Sequence, residues 1–146
     1  MPPSPGPAAT EHSKVLSVLA RADADRLKQI GGQFVDALGA LEVLESRTGL
    51  VMLPMRDTAR GTSFHLGEVL VAQAHIRSGE QQGYGMRTGR DLEAAMAMAL
   101  LDLAWTMNVS KDRIAAFVHA EDSAQLAEDE TTLRRVEATR IDMETF

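Results

Sequence analysis

Six arginines, Arg47, Arg56, Arg60, Arg77, Arg87 and Arg90, fall within 44 residues that hold three acids and no lysine. The planar guanidinium fork suits two-point contact with phosphate oxygens, so this stretch invites a small anion. The candidate ligands are Arg77, Arg87 and Arg90. His65 and Glu68 flank Gly67 and could join them as an acid and base, or could simply form a hydrogen-bonded loop pair. The competing reading is that the arginines decorate a solvated strand face.

The remaining chemistry is sparse. The four histidines are His12, His65, His75 and His119, with no His-x-His or His-Glu-x-x-His spacing. There is no cysteine. No metal site and no resident cofactor are expected. A Gly-x-Ser-x-Gly nucleophile turn is absent. The chain offers no complete catalytic set, and no catalytic residue is assigned. It is expected to contribute to a site rather than own one. The alternative is a stand-alone small phosphate-ester or triphosphate-binding enzyme built on the arginines.

The segment "GYGMRTGRDLEAAMAMALLDLAW", residues 83–105, poses the positioning problem. It lacks the Lys and Ser/Thr of a phosphate-binding P-loop, and Gly-Tyr-Gly is not a dinucleotide fingerprint. Thr88 and Asp91 have the spacing of a capping box; alternatively Asp91 alone is the N-cap. Either way an acid sits at the positive end of a helix dipole, where it opposes phosphate binding. Of the fourteen residues from Leu92 to Trp105, twelve are apolar, the exceptions being Glu93 and Asp102. These two lie about half a turn apart around a helix. A helix apolar nearly all round is covered nearly all round. The cover is either the rest of the domain or, on one side, another chain, with Met96, Met98 and Trp105 as the interface candidates.

The elements around it follow from periodicity. Val15, Leu16, Val18 and Leu19 predict a first helix capped by Thr10 or Ser13. Leu27, Ile30, Phe34, Val35 and Leu38 predict a second, started by Asp23 or Asp25, weakened or ended by Gly31-Gly32 and stopped by Gly39. The apolar runs 41–45 and 50–55 read as two strands of a hairpin, with Arg47-Thr48-Gly49 as the turn. Residues 64–78 form the best strand, with Leu70, Ala72, Ala74 and Ile76 on its core face and Val69, Val71, Gln73, His75 and Arg77 on the other. "SGEQQ" is a turn and residues 83–87 return as a strand. A short helix starts at Ser110. Beyond it, residues 121–146 carry eight acids, three arginines and few apolar positions, notably Leu126, Leu133 and Val136. This is an acidic helical or extended arm that needs another surface, with Leu133 and Val136 as its contacts.

The predicted fold class is therefore α+β: N-terminal helices, a small antiparallel β meander, a buried Ala/Met/Leu-rich helix and a C-terminal helical or extended arm. The 146 residues divide into a Pro-rich disordered tail (1–11), one α+β domain (12–120) and the arm (121–146). Net charge is −6, so nucleic acid is not an expected partner. No apolar run is long enough for a membrane span. The Pro-rich start is not a signal peptide, and the absence of cysteine fits the cytoplasm.

Several stretches together resemble one family. They are "TGLVML" at 48–53, "FHLGEVLV" at 64–71, "GYGMRTGRD" at 83–91, the Ala/Leu helix carrying Leu101-Asp102, and the ending "ATRIDMETF". The family is PhnG, the G subunit of the bacterial carbon–phosphorus lyase core complex, and the likeness covers roughly residues 12–146. The resemblance implies an α+β accessory subunit without independent activity. It implies PhnI as the principal partner, with PhnH, PhnL and the radical subunit PhnJ; the apolar helix and the under-anchored arm predict self-association when the chain is isolated. It further implies a role in replacing the adenine of MgATP with a phosphonate, giving α-D-ribose 1-phosphonate 5-triphosphate. MgATP would then be a substrate of the assembly rather than a cofactor of this chain.

Overall fold

A computed structural model describes residues 7–56 and 63–144, with side chains for 11–52 and 67–140. The order is α1 (Pro7–Arg21), α2 (Ala24–Phe34), β1 (Glu42–Arg56), β2 (Ser63–Ser78), β3 (Gln81–Thr88), α3 (Leu92–Thr106) and α4 (Lys111–Glu144). The strands form one antiparallel sheet in the order β1-β2-β3. This is the α+β class read from the sequence.

α3 is the centre of the molecule. It lies on β3 and β2 and is flanked by α2 and α1. Eleven of its residues are buried, from Ala94 and Ala95 through Trp105. At β3 the sheet and helix backbones approach closely because glycines face the helix. Ala74 pairs with Gly85 and Ile76 with Gly83. A Cβ on Gly83 would stand 2.7 Å from Leu103 Cβ, and one on Gly85 2.9 Å from the Ala99 amide nitrogen. On the opposite side Gly31 of α2 plays the same part, since its Cβ would stand 2.7 Å from Ala97 Cβ. Ala72, Ala74 and Ile76 fill the sheet side of the core, as the alternation of β2 predicts, but Leu70, expected on that face, is only partly buried, and Val71, expected on the other, is buried.

Several local expectations are corrected. The Gly31-Gly32 pair does not end α2, which continues to Phe34, because Gly31 supplies the close contact with α3. Of the two starts expected for α2, Asp23 is the N-cap, accepting from the Arg26 amide at 3.0 Å, as the sequence allowed. α1 begins at Pro7 rather than at a Thr10 or Ser13 cap. Residues 41–55 are not a hairpin. Arg47-Thr48-Gly49 runs straight through β1, opposite Gln73, Ala72 and Val71 of the long strand β2. A register shift between Val43 and Glu45 accommodates one extra residue, Leu44, as a bulge ahead of that regular stretch. Ser110, at φ 46°, precedes not a short helix but a 34-residue one that crosses position 121 without a break. The proline-rich residues 1–6 lie outside the described residues.

Adjacent glycines in α2 give a direct check of the packing. Gly31→Ala should cost about 1–3 kcal/mol through overpacking against Ala97. A methyl group at Gly32 would meet nothing within 4 Å. Gly32→Ala should therefore stabilise the helix by about 0.5–1 kcal/mol. Urea denaturation of the two variants against the parent should show midpoint shifts of opposite sign.

Candidate functional site

The residues proposed for anion contact do not converge. Arg77 on β2 is paired with Glu42 of β1. Arg87 on β3 lies opposite Ala72, five residues from Arg77 along β2, so the two point to opposite faces about 16 Å apart. Arg87 faces the helices. Its guanidinium donates to the carbonyls of Leu19 and Ala22 at 2.5 and 2.7 Å, closing the C-terminal end of α1, where the Leu19 carbonyl also accepts from the Ala22 amide at 3.3 Å. Burial holds its pKa below the usual guanidinium value, with Asp91 and Asp23 opposing. Arg90 is exposed in the loop before α3 and forms no ion pair among the described residues. Glu68 is exposed on β2 opposite Met52. His65 is placed on β2 opposite Pro54, and its side chain lies outside the described residues.

Asp91 is the N-cap of α3, accepting from the Ala94 amide at 3.1 Å; Thr88 ends β3. Lys28 Nζ sits 2.7 Å from Asp91. The Lys28 hydrogen bond, then the Ala94 amide, holds the Asp91 carboxyl below its ordinary value near 3.8. The same hydrogen bond raises Lys28. A carboxylate already neutralised by a lysine and a helix amide leaves no positive pole for a phosphate.

Two polar features gave little sign of themselves in the sequence. Asp102, 2% exposed within the apolar helix, accepts from His12 Nε2 and, at 2.8 Å, from the backbone amide of Tyr84. It ties α1, α3 and β3 together. Its signal was the lone acid in an apolar run, but the partners lie 90 and 18 residues away. On the outer face of the sheet, His75 and Tyr84 stack at 4.2 Å, and Gln82 Oε1 accepts from both, at 2.7 and 2.9 Å. Beside them is a cleft of about 280 Å³ lined by Leu16, Gln73, Met86 and Met98. Among the described residues no three His, Asp or Glu side chains gather to hold a metal ion.

The apolar interface candidates separate into two groups. Met98 and Trp105 are buried within this chain, and Met96 is partly buried against the same core. Lys111 lies over the Trp105 ring at 4.3 Å. α3 is thus walled by its own domain. The surplus lies elsewhere. α4 docks on the domain through Ile114, Val118, Glu121 and Gln125. Arg26 Nε reaches Glu121 at 2.7 Å, Gln125 donates to the Val18 carbonyl at 3.0 Å, and Arg21 pairs with Asp129 at 3.0 Å. From 126 to 140 every residue is exposed, including Leu126 at 59%, Leu133 at 64% and Val136 at 60%. β1 and β2 likewise outrun β3, which ends opposite Val71. Residues 49–56 and 63–70 continue as a two-stranded ribbon on which Leu50 and Met52 are exposed.

A three-stranded antiparallel sheet under a buried helix, with a ribbon and a long C-terminal helix reaching past the core, defines an α+β protein that leaves apolar surface uncovered. The family model described as "Phosphonate metabolism protein PhnG" matches residues 10–146, and the chain belongs to that family. A relative from Rhizobium meliloti (strain 1021), an alpha-D-ribose 1-methylphosphonate 5-triphosphate synthase subunit PhnG, is 30% identical over 133 residues. The match covers 90% of this chain and 85% of that protein. No helix among the described residues is long and apolar enough to cross a membrane.

Asp102→Ala should destabilise the fold by about 1–3 kcal/mol in urea denaturation, since the Tyr84 amide loses its acceptor in the interior. Asp102→Asn keeps an acceptor and should lose less. For the Asp91–Lys28 pair, the lowered carboxyl contributes stability above about pH 4 that disappears as pH falls through its folded value. The raised lysine contributes below its ordinary value and that share disappears as pH rises through its folded value. The difference in stability between the parent and Asp91→Ala should therefore be largest near neutral pH and shrink toward acid, as followed by thermal unfolding from about pH 7 down to about pH 3.

Proposed function

We propose that this chain is a non-autonomous subunit of a cytoplasmic synthase that makes α-D-ribose 1-phosphonate 5-triphosphate. In this reading it supports a PhnI-type subunit as a phosphonate displaces adenine from MgATP, alongside PhnH, PhnL and PhnJ. Membership of the phosphonate-metabolism family and the name of the Rhizobium relative support the reaction class. The observation that carries the subunit role is the arm. A stretch of fifteen helical residues exposed along its whole length is marginal in water, and its three large apolar side chains need cover. The ribbon with exposed Leu50 and Met52 asks for the same, since a two-stranded β-ribbon alone is marginally stable.

The arrangement of the arginines supports a scaffolding contribution. Arg87 stabilises the end of α1 and Arg77 is paired with Glu42, so neither guanidinium is held ready for a triphosphate. Arg90 is the arginine in position to be presented to a partner's site.

The chain co-expressed with a PhnI-type subunit should co-purify with it, and the pair given MgATP and methylphosphonate should release free adenine. The expected result is slower release, or none, from the PhnI-type subunit by itself and no release from this chain alone. Turnover by this chain without a partner would establish it instead as a stand-alone triphosphate-binding enzyme. Equal turnover by the PhnI-type subunit with and without this chain would remove the supporting role.

A further inference from the structure

The arm presents one particular seam, and that seam narrows what can cover it. Leu126, Leu133 and Val136 are spaced by seven and three residues, the spacing of a heptad a/a/d stripe. The residues that dock α4 on its own domain, Ile114, Val118, Glu121 and Gln125, follow a different stripe. Measured from Gln125, Leu126 and Leu133 lie roughly 100° and 80° round the helix, while Val136, eleven residues on, lies only about 20° round. Leu126 and Leu133 therefore open a flank beside the docking stripe, and Val136 joins that flank to the stripe's far end, where the domain no longer covers it. It begins where the helix is still attached to the domain, and its first d position, Asp129, is already held by Arg21.

The flanks of the seam are asymmetric. On one side the adjoining e positions are Glu130 and Glu137; on the other the g positions are Gln125, Thr132 and Thr139. Arg134 lies further round, 3.9 Å from Glu130, with both side chains more than two-thirds exposed. A second copy of the seam fits poorly. Antiparallel pairing sets the Glu130 of each copy near the Glu137 of the other, twice by symmetry, and parallel pairing sets Asp129 against its own copy. Like charges at these positions oppose association.

We infer that the Leu126–Leu133–Val136 seam of α4 receives an amphipathic helix of a different polypeptide, one that carries basic residues along the edge meeting Glu130 and Glu137. This deepens the subunit role proposed above and rests on it. The apolar contact supplies the burial that α4 lacks, and the acidic edge selects against a second copy of this chain.

The test uses the full chain and two synthetic helical peptides with Leu at their a and d positions, one with Lys and the other with Glu at e and g. Binding is read by fluorescence anisotropy of labelled peptide. The Lys peptide should bind about tenfold or more tightly than the Glu peptide. Leu133→Asp should abolish that binding although it makes the chain more acidic, while Leu133→Met should retain it. The double variant Glu130→Lys/Glu137→Lys should reverse the preference toward the Glu peptide. Circular dichroism would establish that each variant keeps its fold, since all three positions are exposed.

Binding of the Lys peptide that survives Leu133→Asp would mean general attraction to an acidic protein and would overturn the inference. Failure of both peptides to bind would do the same. So would a dimer of the chain, seen by analytical ultracentrifugation, that Leu133→Asp dissociates. If Leu133→Asp leaves co-purification with a PhnI-type subunit intact, the seam proposal fails while the subunit role stands.

Discussion

An α-helix that is apolar around almost its whole circumference must be walled on every side, and the rest of this molecule is arranged to supply those walls. α3 takes β3 and β2 on one side, α2 on another and α1 and α4 on what remains. The approach is close because the facing residues are small. Gly83 and Gly85 admit the α3 backbone, and Gly31 admits Ala97. With few aromatic residues, the core is dense through backbone proximity rather than large side chains, which makes it sensitive to a single added methyl group. Asp102 is the one buried acid of α3, and its partners make it a junction between three elements.

What the walls cover and what they leave open explains the functional surface. α3 reaches β3 and β2 but barely touches β1. The far part of the β1–β2 pair and the distal half of α4 consequently project from a core that cannot shelter them. The polar contacts at the root of α4 do not substitute for a core. Apart from the buried Glu121 and Gln125, they are exposed ion pairs of small worth. A domain whose interior is closed and whose extensions are open is built to be completed by neighbours, in keeping with its membership of the phosphonate-metabolism family.

The arginines illustrate how one side-chain type serves different ends according to place. Their density between residues 47 and 90 suggested a common ligand. In the fold, Arg87 turns inward to α1 carbonyls and Arg77 pairs across the sheet, while Arg47 pairs with Glu45 beside it on β1. Strand alternation, with a separation of about five residues along β2, is enough to divide them. The Gly-Arg-Asp joint behaves likewise: Asp91 caps the helix and is neutralised by Lys28, and Arg90 faces outward.

Much of the fold was legible in the chain itself. The period of the apolar residues marked α3, the alternating core face of β2 and the N-cap of α2, because these follow from local geometry and neighbouring residues. The apolar poverty of the arm was legible for the same reason. Other features were not. Arg47-Thr48-Gly49 reads as a turn until a sixteen-residue partner strand holds it extended. Gly31-Gly32 reads as a helix end until α3 needs the room. Met98 and Trp105 read as core or, on one side, as interface until the domain closes over them. Sequence by itself determined where most of the helix- and strand-forming segments lie and how much apolar surface each carries, since that depends on spacing along the chain. Only the tertiary structure decided which of those surfaces meet and which remain bare, because cover depends on contacts between residues far apart in sequence.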